Sequence, residues 1–179
     1  MGRIAEMKTE DMRKIIDSFI DFKNNKSENF IKEHEPQRID TADDLKMCLG
    51  FAYVLYKRCY EKNIFDMRNT AAKYAFDIIQ NNVKSEKAEL YKDDELVQTV
   101  IYTLEFVFEE EYYYTDLVQT MKKLISFDSV SEKLKLEMMR FLVETSIEPE
   151  TNRALGEDYY KYIKYFPDIK KKLSKWRDS

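Results

Sequence analysis

The segment Leu96–Phe108, LVQTVIYTLEFVF, is predominantly apolar and decides the fold class of this chain. At about 100° per residue, its apolar side chains share one wide arc of a helix. These are Leu96, Val97, Val100, Ile101, Leu104, Val107 and Phe108. Tyr102 and Phe106 fall on the opposite side, so the back of the helix is not fully polar. The pattern therefore predicts a central helix that is contacted on more than one side, with Leu104 buried in its middle.

The composition of the whole chain favours helices as well. Only 3 glycines and 3 prolines occur among 179 residues, whereas sandwiches, barrels and Rossmann folds need glycine at their tight turns. A content of 44% hydrophobic and 36% charged residues is typical of a globular protein. We therefore predict one all-α domain over residues 1–179. Residues 1–40 form an N-terminal helix and a polar loop in this prediction, and residues 41–179 form the main helical core.

Apolar spacing, capping residues and breaks together predict seven or eight helices. The predicted segments are Thr9–Phe22, Thr41 to about Glu61, about Asp66 to Asn82, the central helix after Asp93 or Asp94, a helix carrying Leu117 to Ile125 after a break near Tyr112–Thr115, a helix from Ser129 or Ser131 that stops before Pro149, Ala154–Phe166, and Pro167–Trp176. No fixed repeat period is present. An irregular antiparallel bundle and a degenerate helical-hairpin (HEAT-like) stack are both consistent with these segments.

The two cysteines and the lengths of the uncharged runs indicate the cellular compartment in which the protein is expected. Cys48 and Cys59 lie on one helix, about 16 Å apart at 1.5 Å per residue, which is too far for a disulfide. They are expected to be small buried core residues. The longest uncharged run, Met47–Tyr56, is far shorter than the roughly 18 residues of a membrane span. The chain is thus expected to be soluble and cytoplasmic, with no membrane span.

The residues that usually carry chemistry are scarce. His34 is the only histidine, so ferritin-like di-iron sites and histidine-based zinc sites are not expected. No glycine-rich phosphate loop is present. The acidic pairs Asp43-Asp44 and Asp93-Asp94 stand at helix starts, where capping explains them. We therefore predict no catalytic residues, no metal site and no cofactor, with a carboxylate-based enzyme as the alternative.

One segment, residues 109–116, has an unusual composition and is called here the acidic–tyrosine segment. Three glutamates close a helix at its C-terminal end, where the macrodipole disfavours negative charge. Three consecutive tyrosines follow, which cannot all face one core and are enriched at interfaces. The predicted partner-binding residues are Glu109, Glu110, Glu111, Tyr112, Tyr113, Tyr114 and Asp116. The alternative is a solvated turn with one or two tyrosines packed inward.

The C-terminal segment has the opposite charge. Residues 161–177 contain seven basic residues and only one acidic residue, Asp168. The basic residues are Lys161, Lys164, Lys170, Lys171, Lys172, Lys175 and Arg177. Aromatic residues are interleaved with them, which is a composition that can hold nucleic acid or a membrane surface. The alternative is a set of solvated lysines that match the dipole of a terminal helix.

These features predict a protein that works by binding another protein. The acidic–tyrosine segment would dock a partner with a basic surface, as an inhibitor or immunity-type protein of a basic enzyme would. Two alternatives are a nucleic-acid-associated regulator that uses the basic C-terminal segment, and an adaptor or scaffold. No motif in the chain is specific enough to indicate a family.

Overall fold

The computed structural model describes residues 39–61, 63, 65–110 and 114–177, and the prediction of an all-α fold is confirmed there. This part of the chain holds no strand. Its elements are α1 (Ala42–Glu61), α2 (Phe65–Lys84), a 3-10 helix (Ala88–Lys92), α3 (Asp94–Glu109), α4 (Tyr114–Ser126), α5 (Glu132–Glu144), a second 3-10 helix (Thr145–Ile147), α6 (Pro149–Leu155), α7 (Asp158–Ile163) and α8 (Pro167–Arg177). The predicted helix Thr9–Phe22 and most of the predicted loop lie outside the described residues.

Helix α3 is the centre of the bundle, as its apolar pattern predicts. It contacts α1, α2, α4 and α5, and Leu104 on it is fully buried. The helix begins where Asp93 accepts a hydrogen bond from the amide of Leu96, at 3.1 Å. On its other side, Phe106 is buried against α1 and stacks on the ring of Tyr56 at 4.5 Å between centroids. Contact on more than one side is therefore confirmed.

Helix α1 begins at the predicted cap. The amide of Asp44 donates to Thr41 Oγ1 at 3.1 Å, and the amide of Thr41 donates back to Asp44 Oδ2 at 3.1 Å. This is a reciprocal capping box in which aspartate takes the place usually held by glutamate or glutamine. Backbone hydrogen bonds, of which that from Asp40 is the largest, lower the pKa of the Asp44 carboxyl. Both Cys48 and Cys59 are buried, as predicted.

The end of α2 differs from its prediction. The turn residues Asn81, Asn82 and Ser85 predict that the helix ends at about Asn82, but α2 continues to Lys84, directly before Ser85. Asn82 is buried and accepts a hydrogen bond from the hydroxyl of Tyr91, at 2.5 Å. Tyr91 lies in the 3-10 helix that follows, which the apolar spacing did not predict. Asparagine by itself predicts a turn, but here the buried Tyr91 hydroxyl donates a hydrogen bond to the side-chain amide oxygen of Asn82 within the helix.

The region after α5 is also more broken than predicted. A single helix over Ala154–Phe166 is wrong, because α6 already ends at Leu155 and α7 starts only at Asp158. Gly156 separates them with a φ of +56°, a left-handed conformation that glycine adopts without steric cost. Pro149 begins α6 as its first residue rather than merely stopping α5, as prolines at helix starts commonly do.

The contacts among the described helices bear on the two predicted architectures. Helix α4 packs mainly against α6, and α5 packs against α7, so each helix of one hairpin lies against the corresponding helix of the next, as in a hairpin stack. The helices differ greatly in length, from 20 residues in α1 and α2 to 6 in α7, as in an irregular bundle. The described part is therefore a helical bundle in which hairpins of unequal length lie against one another. None of its helices is long and apolar enough to cross a membrane.

Candidate protein-interaction surface

The structure divides the acidic–tyrosine segment between different environments. Glu109 is exposed at the end of α3. Glu110, the next residue, turns inward, and its side chain is only 6% exposed. Residues 111–113, which include one predicted glutamate and two predicted tyrosines, lie outside the described residues. Their role in docking stays a prediction.

Glu110 lies in an internal network that joins α1, α2 and α3. The Nε of Arg68 lies 3.0 Å from Oε1 and 3.1 Å from Oε2 of Glu110. The hydroxyl of Tyr56 donates to Glu110 Oε1 at 2.5 Å. Burial, and then the hydrogen bond to Glu110, raises the pKa of the Tyr56 phenol well above its usual value, so the phenol stays a donor. The prediction of Glu110 as an exposed docking residue is therefore corrected, because its carboxylate is already bound from two other helices.

This network also explains how α3 tolerates acidic residues at its end. A negative charge is unfavourable near a helix C-terminus. The guanidinium of Arg68, which is 16% exposed, stands beside the Glu110 carboxylate and offsets that cost. The same guanidinium lies over the ring of Tyr60, 5.2 Å from its centroid. Glu110 thus stabilises the junction of three helices instead of facing solvent.

The second half of the acidic–tyrosine segment starts α4. Tyr114 is half-buried, and its ring packs on Phe108 at 4.9 Å between centroids. Thr115 donates from its hydroxyl to the carboxylate of Glu150, at 2.9 Å. Asp116 is exposed and lines an open groove between α2 and α4. At least one tyrosine of the segment therefore packs inward, as the solvated-turn alternative expects.

A different set of residues forms a continuous surface on α3 and α5, which we call the α3–α5 acidic surface. Its members share an outward position and a location on two contacting helices. They are Tyr102, Glu105, Glu109, Glu137 and Glu144. On α3 the spacing of three and then four residues between Tyr102, Glu105 and Glu109 places these side chains on one side. Tyr102 is 60% exposed, which is an unusual exposure for a large aromatic side chain at the middle of a central helix.

The carboxylates of this surface act on each other. Burial raises the pKa of the Glu105 carboxyl, and the negative charges of Glu137, Glu109 and Glu144 raise it further. Gln98 donates from Nε2 to Glu137 at 3.2 Å, which binds that carboxylate without neutralising it. The four acids are therefore close enough to repel one another.

Few cations balance the α3–α5 acidic surface. Arg140 lies 3.1 Å from Glu144, but it also lies 3.1 Å from Asp168 on α8, so it serves two carboxylates. Glu105, Glu109 and Glu137 form no ion pair with any residue that the structure describes. By contrast, Lys46 binds Asp93 and Glu95 at the start of α3. The unbalanced negative charge is therefore concentrated towards the end of α3 and at Glu137 on α5.

An aromatic edge borders this surface on the side of α1. The ring of Tyr53 lies 5.9 Å from that of Phe106, and Phe106 follows Tyr102 by one turn of α3. Tyr53 and Tyr102 are both exposed. Sequence reasoning found Glu109 but missed Tyr102, Glu105, Glu137 and Glu144 as members of one surface, and it missed Tyr53 at its edge. Their signal in the sequence is weak, because a single glutamate on an outer helix face is common.

The pH dependence of stability tests whether these carboxylates repel one another. Because the pKa of Glu105 is raised in the folded state above its ordinary value of 4.5, its ionisation opposes folding once the pH exceeds that value. We expect Glu105→Gln to raise the melting temperature at pH 7. The gain over the parent should shrink as the pH falls and vanish below about 4.5, where the parent carboxyl becomes protonated in both the folded and the unfolded state.

A glutamate elsewhere on the surface provides the control. Glu157 is exposed before α7 and is not among the charges that act on Glu105. Glu157→Gln should give no comparable stabilisation at pH 7. Equal melting temperatures for Glu105→Gln and the parent across this pH range would show that the cluster carries no repulsion.

The basic C-terminal residues lie on a separate surface. The side chains of Lys161, Lys164, Lys170, Lys171, Lys172 and Lys175 are exposed, while that of Arg177 lies outside the described side chains. Among the aromatic residues nearby, Tyr159, Tyr162 and Phe166 are buried, and Tyr160 and Tyr165 are exposed. The expected solvated basic face and the expected core aromatics are both present there.

Among the described residues, no group of three or more histidine, cysteine or acidic side chains is placed to hold a metal ion. Comparison of the chain with models of protein families, with curated proteins and with solved structures found no match. The evidence for function therefore comes from the two surfaces themselves.

Proposed function

We propose that this protein acts without catalysis, by binding a protein partner with a basic surface through the α3–α5 acidic surface. The observation that carries the proposal is the exposed ring of Tyr102 beside Glu105 and Glu109, whose charges are unbalanced. Mutual repulsion of carboxylates costs folding free energy. A basic partner would relieve that repulsion, and the ring of Tyr102 would supply contact area with little conformational freedom to lose.

The chemistry of the surface suits an inhibitor or immunity-type protein of a basic enzyme. Complementary charge accelerates encounter, and aromatic anchors slow dissociation. An adaptor or scaffold would use the same contacts. Two buried cysteine thiols suit a reducing compartment, so we propose that the protein works in the cytoplasm.

The test begins with capture of partners from an extract of the native host, followed by quantitative mass spectrometry. The bait is the full-length protein, compared with the variant Tyr102→Ala/Glu105→Gln/Glu109→Gln. The control is Ile147→Ala/Glu89→Gln/Glu157→Gln, which removes one exposed apolar side chain and two exposed glutamates that belong neither to the α3–α5 acidic surface nor to the surface of the basic C-terminal residues. A partner of the α3–α5 acidic surface should be lost with the first variant and retained with the control.

Binding kinetics with the purified partner then separate the two contributions. Glu105→Gln/Glu109→Gln should lower the association rate constant and flatten its dependence on salt, because steering by charge is screened. Tyr102→Ala should instead raise the dissociation rate constant, at a cost of upward of 1 kcal/mol. If both variants bind a captured partner as the parent does, this surface is not its docking site.

A further inference from the structure

We infer that the corner of α7 and α8 is a second binding surface, which holds single-stranded nucleic acid. This α7–α8 basic surface consists of the exposed rings of Tyr160 and Tyr165 together with the exposed lysines at positions 164–175. Tyr160 is 64% exposed and Tyr165 is 62% exposed. The surface is distinct from the α3–α5 acidic surface, so the inference stands independently of the proposed protein partner.

The positive charge of this corner is not neutralised by its neighbours. Lys164, Lys170, Lys171, Lys172 and Lys175 are exposed and form no ion pair with any residue in the described ranges. The carboxylates within α7 and α8, Asp158 and Asp168, are already bound. Asp158 lies 2.6 Å from Lys122 and 3.4 Å from Lys161, and Asp168 lies 3.1 Å from Arg140. Five lysines therefore remain available to a ligand that carries several negative charges.

The two tyrosines are placed as platforms for stacking. The ring of Tyr160 meets the buried ring of Tyr159 edge-on, at 5.4 Å and 83°. Tyr165 lies 6.5 Å from the ring of buried Phe166. Each exposed ring thus has a buried aromatic neighbour, and most of the surface of Tyr160 and Tyr165 is open to solvent. Bases of a single strand stack on such rings without sequence preference, while lysines contact the phosphates.

The same surface fits other polyanions less well. A duplex hides the faces of its bases, so it could use the lysines but not the two rings. A membrane surface calls for an apolar helix face that enters the lipid. On α8 the apolar residue Ile169 is buried in the protein and Leu173 packs against its core. A single-stranded nucleic acid can contact both the lysines, through its phosphates, and the exposed rings, through its bases.

The test measures fluorescence anisotropy of labelled single-stranded DNA and RNA of about 20 nucleotides and mixed sequence, longer than one binding site needs. The full-length protein is titrated at salt concentrations from about 50 to 200 mM. With four or five phosphates contacted, the logarithm of the affinity should fall against the logarithm of salt with a slope of roughly −3. A duplex of the same sequence should bind more weakly at every salt concentration.

Two variants separate the rings from the charges. Tyr160→Ala/Tyr165→Ala should weaken binding at least about fivefold per ring, with the salt slope unchanged. Lys171→Gln/Lys175→Gln should weaken binding and reduce the slope by roughly 1.4. The control Tyr53→Ala/Tyr102→Ala removes two exposed tyrosines from the other surface and should bind like the parent.

Several outcomes would overturn the inference. One is the absence of binding at about 50 mM salt, which is expected if the lysines only match the dipole of α8. Others are equal or tighter binding to the duplex, or unchanged binding by Tyr160→Ala/Tyr165→Ala. Binding to vesicles that contain phosphatidylserine, without binding to either single strand, would assign the surface to a membrane instead.

Discussion

Leu104→Ala should lower the free energy of unfolding by about 2–5 kcal/mol, the usual cost of truncating a buried leucine. Leu104 is fully buried at the middle of α3, which contacts α1, α2, α4 and α5. The cavity therefore opens where several helices meet, and backbone movement cannot easily close it. Urea denaturation followed by circular dichroism measures the loss, and each kcal/mol should also lower the melting temperature by roughly 2–4 °C.

The control for this prediction lies two residues away on the same helix. Tyr102 is exposed, so Tyr102→Ala should change stability by no more than about 0.5 kcal/mol. A loss below about 1 kcal/mol for Leu104→Ala would mean that α3 is not the centre of the core.

Arg68→Met should destabilise the protein by about 3–5 kcal/mol, because it leaves the buried carboxylate of Glu110 without its cation. The side chain of Glu110 is 6% exposed, and Arg68 Nε lies 3.0 Å from its nearer oxygen. Replacing both partners, in Arg68→Met/Glu110→Met, should cost much less, since no uncompensated charge remains buried. Chemical denaturation of the single and double variants gives the two losses.

A surface ion pair provides the comparison. Arg140 pairs with Glu144 at 3.1 Å, but both side chains are about half exposed. Arg140→Met should therefore cost at most about 1 kcal/mol. If Arg68→Met costs no more than Arg140→Met, or if the double variant is as unstable as Arg68→Met, the Glu110 network does not stabilise the junction of α1, α2 and α3.

The two surfaces carry opposite charge, which the net charge of −4 conceals. Excess negative charge is found on α3, which holds four acidic residues and no basic residue, and excess positive charge is found on α8, which holds five basic residues against Asp168. Both surfaces also expose tyrosine. A single protein could thus bind a basic partner and a nucleic acid strand at the same time, and the variants of each surface leave the other intact.

Much of the fold follows from local sequence patterns. The apolar arc of residues 96–108 predicts a buried central helix because helical periodicity is a property of neighbouring residues. Thr41 and Asp93 predict the starts of α1 and α3 because a cap needs only the next few amides. The change in apolar phase near Tyr112–Thr115 predicts the break before α4 for the same reason.

Only the tertiary structure decides which side chains meet across helices. Glu110 looks like its neighbour Glu109 in the sequence, yet its partners Arg68 and Tyr56 lie 42 and 54 residues away and turn it into a buried ion pair. Glu105 becomes part of an acidic surface only because α5 packs beside α3 and brings Glu137 close. Helix periodicity determines which face of a helix a residue occupies. The packing of the helices determines which residues that face contacts, and the function proposed for this chain depends on that packing.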